Sequence, residues 1–217
     1  MIRLGDIKIE SIKLMFTNYN FDFGIDDLQS LVSDENYGSY IVNMNGSIAR
    51  ALDRIENACV VPLKRRTLGV DDVSYTKNFI HFDLGNIDDL FLIDRITAEY
   101  DSGDYEGNVD YSLEGDLLIL PKDNRKPTYS IVYYPTIKTI DDSIADTDEM
   151  WIPDKISRLI PYFVKGDLYQ EEEPSLAADA RNLFEACLDD IKKNQHSKQN
   201  YIHQTYRMYW GELWVLE

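Results

Sequence analysis

The sequence predicts an α+β protein: a helical bundle formed by the N- and C-terminal segments, with a small antiparallel β domain inserted between them. Three observations lead there. Apolar residues recur at helical spacing near both ends, over 45–60 and again over 151–193. Between about 64 and 140 the signal changes to short β-branched and aromatic runs separated by turn residues. At 217 residues and 44% hydrophobic composition, the chain is long and apolar enough to bury a core in one or two domains. The expected divisions are 1–63 with 141–193 as the helical part, 64–140 as the β-rich insertion, and 194–217 as an arm.

Residues 7–16 can form a first helix, although their spacing also suits a strand, and 26–32 form a short second candidate. Over 45–60, Ile48, Leu52, Ile55 and Cys59 lie on one stripe, with Asn45 and Ser47 as candidate caps. Pro62 discourages continuation. Strands are expected at 79–84, 90–100, 116–121 and 129–137, giving a meander or sandwich of four or five strands. Gly85-Asn86, Ser102-Gly103-Asp104, Glu114-Gly115-Asp116 and Lys122-Asp123-Asn124 supply the turns. Residues 141–148 are a polar connector. In 151–193, Ile156, Leu159, Ile160, Phe163, Val164 and Leu168 mark one helix. Leu176, Ala180, Leu183, Phe184, Cys187, Leu188 and Ile191 mark a second, after the acidic turn Glu171-Glu172-Glu173-Pro174.

Charge narrows the function. There are 22 Lys and Arg against 39 Asp and Glu, a formal net charge of −17, which argues against tight nucleic-acid binding by counterion release. The acidity serves solubility, or a wall past which DNA slides without sticking. No run of about 18 apolar residues suggests a membrane span, and the first residues lack a signal-peptide core. Cys59 and Cys187 read as buried free thiols, with cytoplasmic synthesis as the default.

No catalytic, metal or cofactor constellation emerges. His81, His196 and His203 are scattered. The doublets Asp71-Asp72, Asp88-Asp89, Asp141-Asp142 and Asp189-Asp190 put neighbours on different faces, so they rarely converge. Asp101-Ser102-Gly103-Asp104 lacks the remaining ligands of a calcium loop and reads as a turn. Glu171, Glu172 and Glu173 suit a helix start, where negative charge complements the dipole. Lys64-Arg65-Arg66 is too short for a nucleic-acid footprint; it reads as a solvated loop or a contact to an acidic neighbouring subunit. Tyr201, Tyr206, Tyr209, Trp210 and Trp214 make the last segment costly to leave in water. It either folds back or docks on a partner.

Taken in order, GDIKIESIKLMF, GSIARALDRIENACVVPLKRR, SIVYYPTIKTI and MWIPDKISRLIPYFVKGDLYQEEEPSLAADARNLFEACLDDI resemble the head–tail connector (adaptor) proteins of tailed bacteriophages. The last stretch carries most of the likeness. The resemblance implies a structural virion protein at the head–tail junction, with no enzymatic role and no cofactor. Many copies, usually twelve, would form a homo-oligomeric ring beneath the portal protein. That ring would extend the DNA channel, let genomic DNA pass without tight binding, and offer a platform to the tail or to further connector proteins. In this reading Glu171–Glu173 supply channel-side charge or the helix start, and the aromatic arm grips the portal or a neighbour. The β region looks closest to adaptors of short-tailed phages. The competing classes are a hydrolase using two carboxylates, one with a raised pKa, and a monomeric domain that binds a partner through the aromatic tail.

Overall fold

Patterning over 2–16 decides the first element. Leu4, Ile7, Ile12 and Met15 share a face, all are buried, and the segment is helical. The computed structural model describes residues 2–16, 23–137, 140 and 144–211, with side chains through Gln195. In chain order its elements are β1 (Ile2–Arg3), α1 (Leu4–Met15), α2 (Leu28–Leu31), α3 (Gly38–Asn57), β2 (Lys64–Thr67), β3 (Val73–Tyr75), β4 (Phe79–Asp83) and β5 (Leu90–Glu99). There follow β6 (Tyr105–Glu106), β7 (Ser112–Glu114), β8 (Leu117–Pro121), β9 (Thr128–Pro135), β10 (Glu149–Met150), α4 (Asp154–Ser157), α5 (Ile160–Leu168) and α6 (Pro174–Gly211). The chain forms two compact units: 1–60 with 137–217, and the contiguous stretch 61–136.

The expected helical bundle with one small β domain is corrected by this structure. The fold is α+β, but its strands make three sheets among the described residues, and one of those sheets lies in the first unit. There β1 pairs antiparallel with β10, Ile2 opposite Met150. Nor do the helices line up as bundle neighbours. α1, α3 and α6 each pack chiefly against the short α5. The sequence hid this because a two-residue strand has no periodicity to read.

Both ends of α1 are tied down. The N–H groups of Leu4 and Gly5 donate to the carbonyls of Asp148 (3.1 Å) and Asp146 (2.8 Å), satisfying donors that the first turn leaves open. At the other end of α1, the Lys165 ammonium donates to Leu14 O (3.0 Å) and the Tyr169 hydroxyl to Met15 O (2.7 Å). Lys8, almost fully buried, pairs with Asp146 at 2.6 Å. α3 buries Ile41, Met44, Ile48, Ala51, Leu52 and Ile55. It begins at Gly38, so Asn45 and Ser47 lie inside the helix and cap nothing. Cys59 lies past its end at φ 54°, a left-handed position that usually falls to Gly. α5 and α6 touch closely at Gly166, where an added Cβ would stand 2.5 Å from Arg181 Cγ and 3.0 Å from Ala177 O.

The second unit holds two four-stranded antiparallel sheets, ordered β2-β9-β5-β6 and β3-β4-β8-β7. Ile80, Phe82, Leu118 and Leu120 of one sheet share a core with Ile96, Ala98, Ile131 and Tyr133 of the other. The four strands read from sequence are β4, β5, β8 and β9. The remaining four of this unit lie at the sheet margins and are two to four residues long.

Candidate functional site

The sequence-level candidates fall in both units: Lys64, Arg65 and Arg66 in the second, Glu171, Glu172 and Glu173 in the first. Lys64, Arg65 and Arg66 lie on the edge strand β2 rather than in a loop. Their cations meet acids of their own unit: Lys64 with Asp89 at 2.5 Å, Arg65 with Glu99 at 3.8 Å and Arg66 with Asp72 at 3.9 Å. Cationic side chains on an edge strand discourage unwanted strand pairing. Asp89 also accepts from the Tyr133 hydroxyl (2.9 Å). Burial would raise the Asp89 pKa, but Lys64 and Tyr133 hold it below the ordinary carboxylate value. Burial and that carboxylate push Tyr133 up to about 12.

A second cluster, unforeseen from sequence, ties β5, β6 and the turn after β8. The Tyr100 hydroxyl donates to Glu106 (3.0 Å) and lies 3.2 Å from Asp123. Arg125 donates to Tyr100 Oη at 2.9 Å and to Asp123 Oδ2 at 2.7 Å, with its guanidinium 4.0 Å from the Tyr100 ring centroid. Hydrogen bonds from Arg125 hold Asp123 down at about 2, whereas burial, then Glu106 and Asp123, push Tyr100 to about 12. These residues are 25 positions apart at most, yet no periodicity links them, so only the folded sheets bring them together. The arrangement is a rivet between hairpins. Asp101–Asp104 forms the neighbouring turn, with Gly103 at φ 87°.

In the first unit, a cleft of about 580 Å³ lies between α3 and the end of α5. Its walls are polar: Asn43, Asn45 and Arg50 on one side, Asp167, Gln170, Glu171 and Glu172 on the other. Asp167 pairs with Arg50, and Arg181 donates to Gln170 at 2.9 Å. Arg54 grips Glu185 with two hydrogen bonds of 2.9 and 2.6 Å. The Tyr40 hydroxyl donates to Glu172; burial and this carboxylate raise its pKa well above the ordinary phenol range. Glu171, Glu172 and Glu173 form the turn between α5 and α6, all exposed. Glu173 O accepts the Ala177 N–H (3.0 Å) just before Pro174 opens α6.

Among the described residues no group of three His, Cys, Asp or Glu side chains is placed to hold a metal. Among the described residues, the three carboxylates with displaced pKa values, Asp6, Asp89 and Asp123, are all shifted downward. Asp141 and Asp142 lie outside the described residues. α6 runs without a break to Gly211, so the expected arm from 194 begins inside a helix. Tyr201, Tyr206, Tyr209 and Trp210 fall on that helix, with side chains outside the described set, as are those of His196 and His203; Trp214 lies outside the described residues. No protein-family model and no curated protein matches the chain.

Proposed function

We propose that this chain is a structural virion protein, a head–tail connector that forms a ring under the portal of a tailed phage. The feature that carries the reading is the 38-residue α6 that follows directly on an acidic turn. At 1.5 Å per residue it spans about 57 Å, while its principal partner α5 spans about 14 Å. A helix that long has far more surface than one nine-residue helix can cover, and its last turns carry Tyr201, Tyr206, Tyr209 and Trp210. Aromatic residues of this kind are the usual anchors of protein interfaces. The resemblance of 151–193 to connector sequences supplies the particular setting. In it, the acidic ring lets genomic DNA pass and presents a platform to the tail or to further connector proteins.

The test is assembly. The purified chain is mixed with the portal ring of the same phage and followed by light scattering and negative-stain imaging. A ring seated on the portal is expected, and removal of 196–217 should abolish docking. A chain that stays monomeric at high concentration and does not bind the portal would overturn the proposal.

A further inference from the structure

α6 is divided by charge. From 174 to 191 it carries Asp179, Glu185, Asp189 and Asp190 against Arg181 alone. From 192 to 211 it carries Lys192, Lys193, Lys198 and Arg207 and no acid. In a chain of formal charge −17, four cations in a row of turns without one carboxylate stand apart. The acidic half also continues the Glu171–Glu173 turn, so a single rod bears opposite charge at its two ends.

The first half is only partly covered. Ala177, Ala180, Phe184 and Leu188 are buried, yet Leu176 and Leu183 are each 45% exposed. They are seven residues apart, so they lie on one flank of the helix, and exposed Asp179 and Asp190 fall on that same flank. Two solvent-facing leucines bordered by acids make a surface that suits a helix carrying both cations and apolar residues.

We propose that α6 joins subunits head to tail: the cationic half of α6 in one copy lies along the Leu176–Leu183 flank of the next copy. The inference rests on the ring reading above and names the contact that would build the ring. Parallel pairing in register would set acid against acid and base against base, which the charge division opposes. A staggered contact matches opposite charges instead. Because it joins two different patches, it is heterologous, and it builds a ring where the rotation from copy to copy closes.

Charge exchange tests this. One variant carries Lys193→Glu, Lys198→Glu and Arg207→Glu; the other carries Asp179→Lys and Asp190→Lys. Assembly is followed by native mass spectrometry, alone and on portal rings, with circular dichroism melts to verify folding. Each variant alone should lose on the order of tenfold or more in apparent association. An equimolar mixture should restore assembly with the two chains alternating. The parent's assembly should weaken as salt rises from about 0.05 to about 1 M. The contact is refuted by variants that each assemble as the parent does, by folded variants whose mixture stays apart, by a parent that stops at a dimer, or by one that stays monomeric both alone and on the portal. Portal binding is scored separately. Charge-dependent assembly without portal binding keeps this contact and removes the connector reading; portal binding with charge-independent assembly does the reverse.

Discussion

Tyr169 reaches out of one helix to finish another. Its hydroxyl holds Met15 O, a carbonyl at the end of α1 that the helix itself cannot satisfy. Tyr169→Phe should therefore cost about 1–2 kcal/mol in urea unfolding, since the buried carbonyl loses its donor. Gly38 is constrained from another side: an added Cβ would stand 2.3 Å from the Val32 carbonyl oxygen. A backbone atom cannot step aside, so Gly38→Ala should destabilise by about 1–3 kcal/mol despite alanine's better helix propensity. Asp123 predicts a pH response. Its folded pKa of about 2 lies below the ordinary 3.8, so it stabilises the fold above about pH 4. That contribution fades as pH falls through 2. Asp123→Asn should lower the melting temperature at pH 7, with the gap to the parent closing on acidification. An unchanged gap at pH 2 would assign the deficit to something other than charge. Of these, Asp123 was marked only as turn material; the role of Tyr169 was hidden because its partner Met15 lies 154 positions away, and that of Gly38 because no periodicity shows the Val32 carbonyl folding back on it.

At the scale of elements, the sequence was most legible where burial or composition leaves a run of several residues. α3 is recovered from its stripe, because burial of one face writes its period into the residues, and β4, β5, β8 and β9 from β-branched and aromatic runs bounded by turn residues. Short marginal strands are not recovered. Lys64–Thr67 has the composition of a solvated loop and becomes a strand only because β9 offers it a register, Lys64 opposite Tyr133. The helix expected as one piece before the acidic turn is two, α4 and α5, parted at Arg158 and Leu159 just ahead of Pro161. The seam between α5 and α6 depends on Gly166. Gly166→Val should push Arg181 off Gln170 and lower stability by about 1–3 kcal/mol in thermal or chemical melts, through overpacking. Glu171–Glu173 lie in the turn ahead of α6, but the engagement of Glu172 with Tyr40 on α3 needed the fold.

For the whole molecule, the charge of −17 makes a prediction independent of any single contact. Duplex DNA should show no saturable binding by fluorescence anisotropy even at about 0.05 M salt, where phosphate contacts are strongest. Tight, salt-sensitive binding would contradict the proposed role of an inert channel wall. The second unit has its own core and its own two sheets. Expressed as 61–136, it should melt cooperatively and give a dispersed amide spectrum, whereas a collapsed, undispersed spectrum would mean that it needs the rest of the chain. The pairing of β2 with β9 has a historical consequence. Because Lys64 stands opposite Tyr133, the chain enters this unit and leaves it at points about one strand spacing apart. A piece whose two ends meet at a doorway that narrow can be gained or lost in one genetic event, with a short loop closing the scar. Descendants of a common ancestor could thus differ by this whole unit while keeping the helices around α5 unchanged.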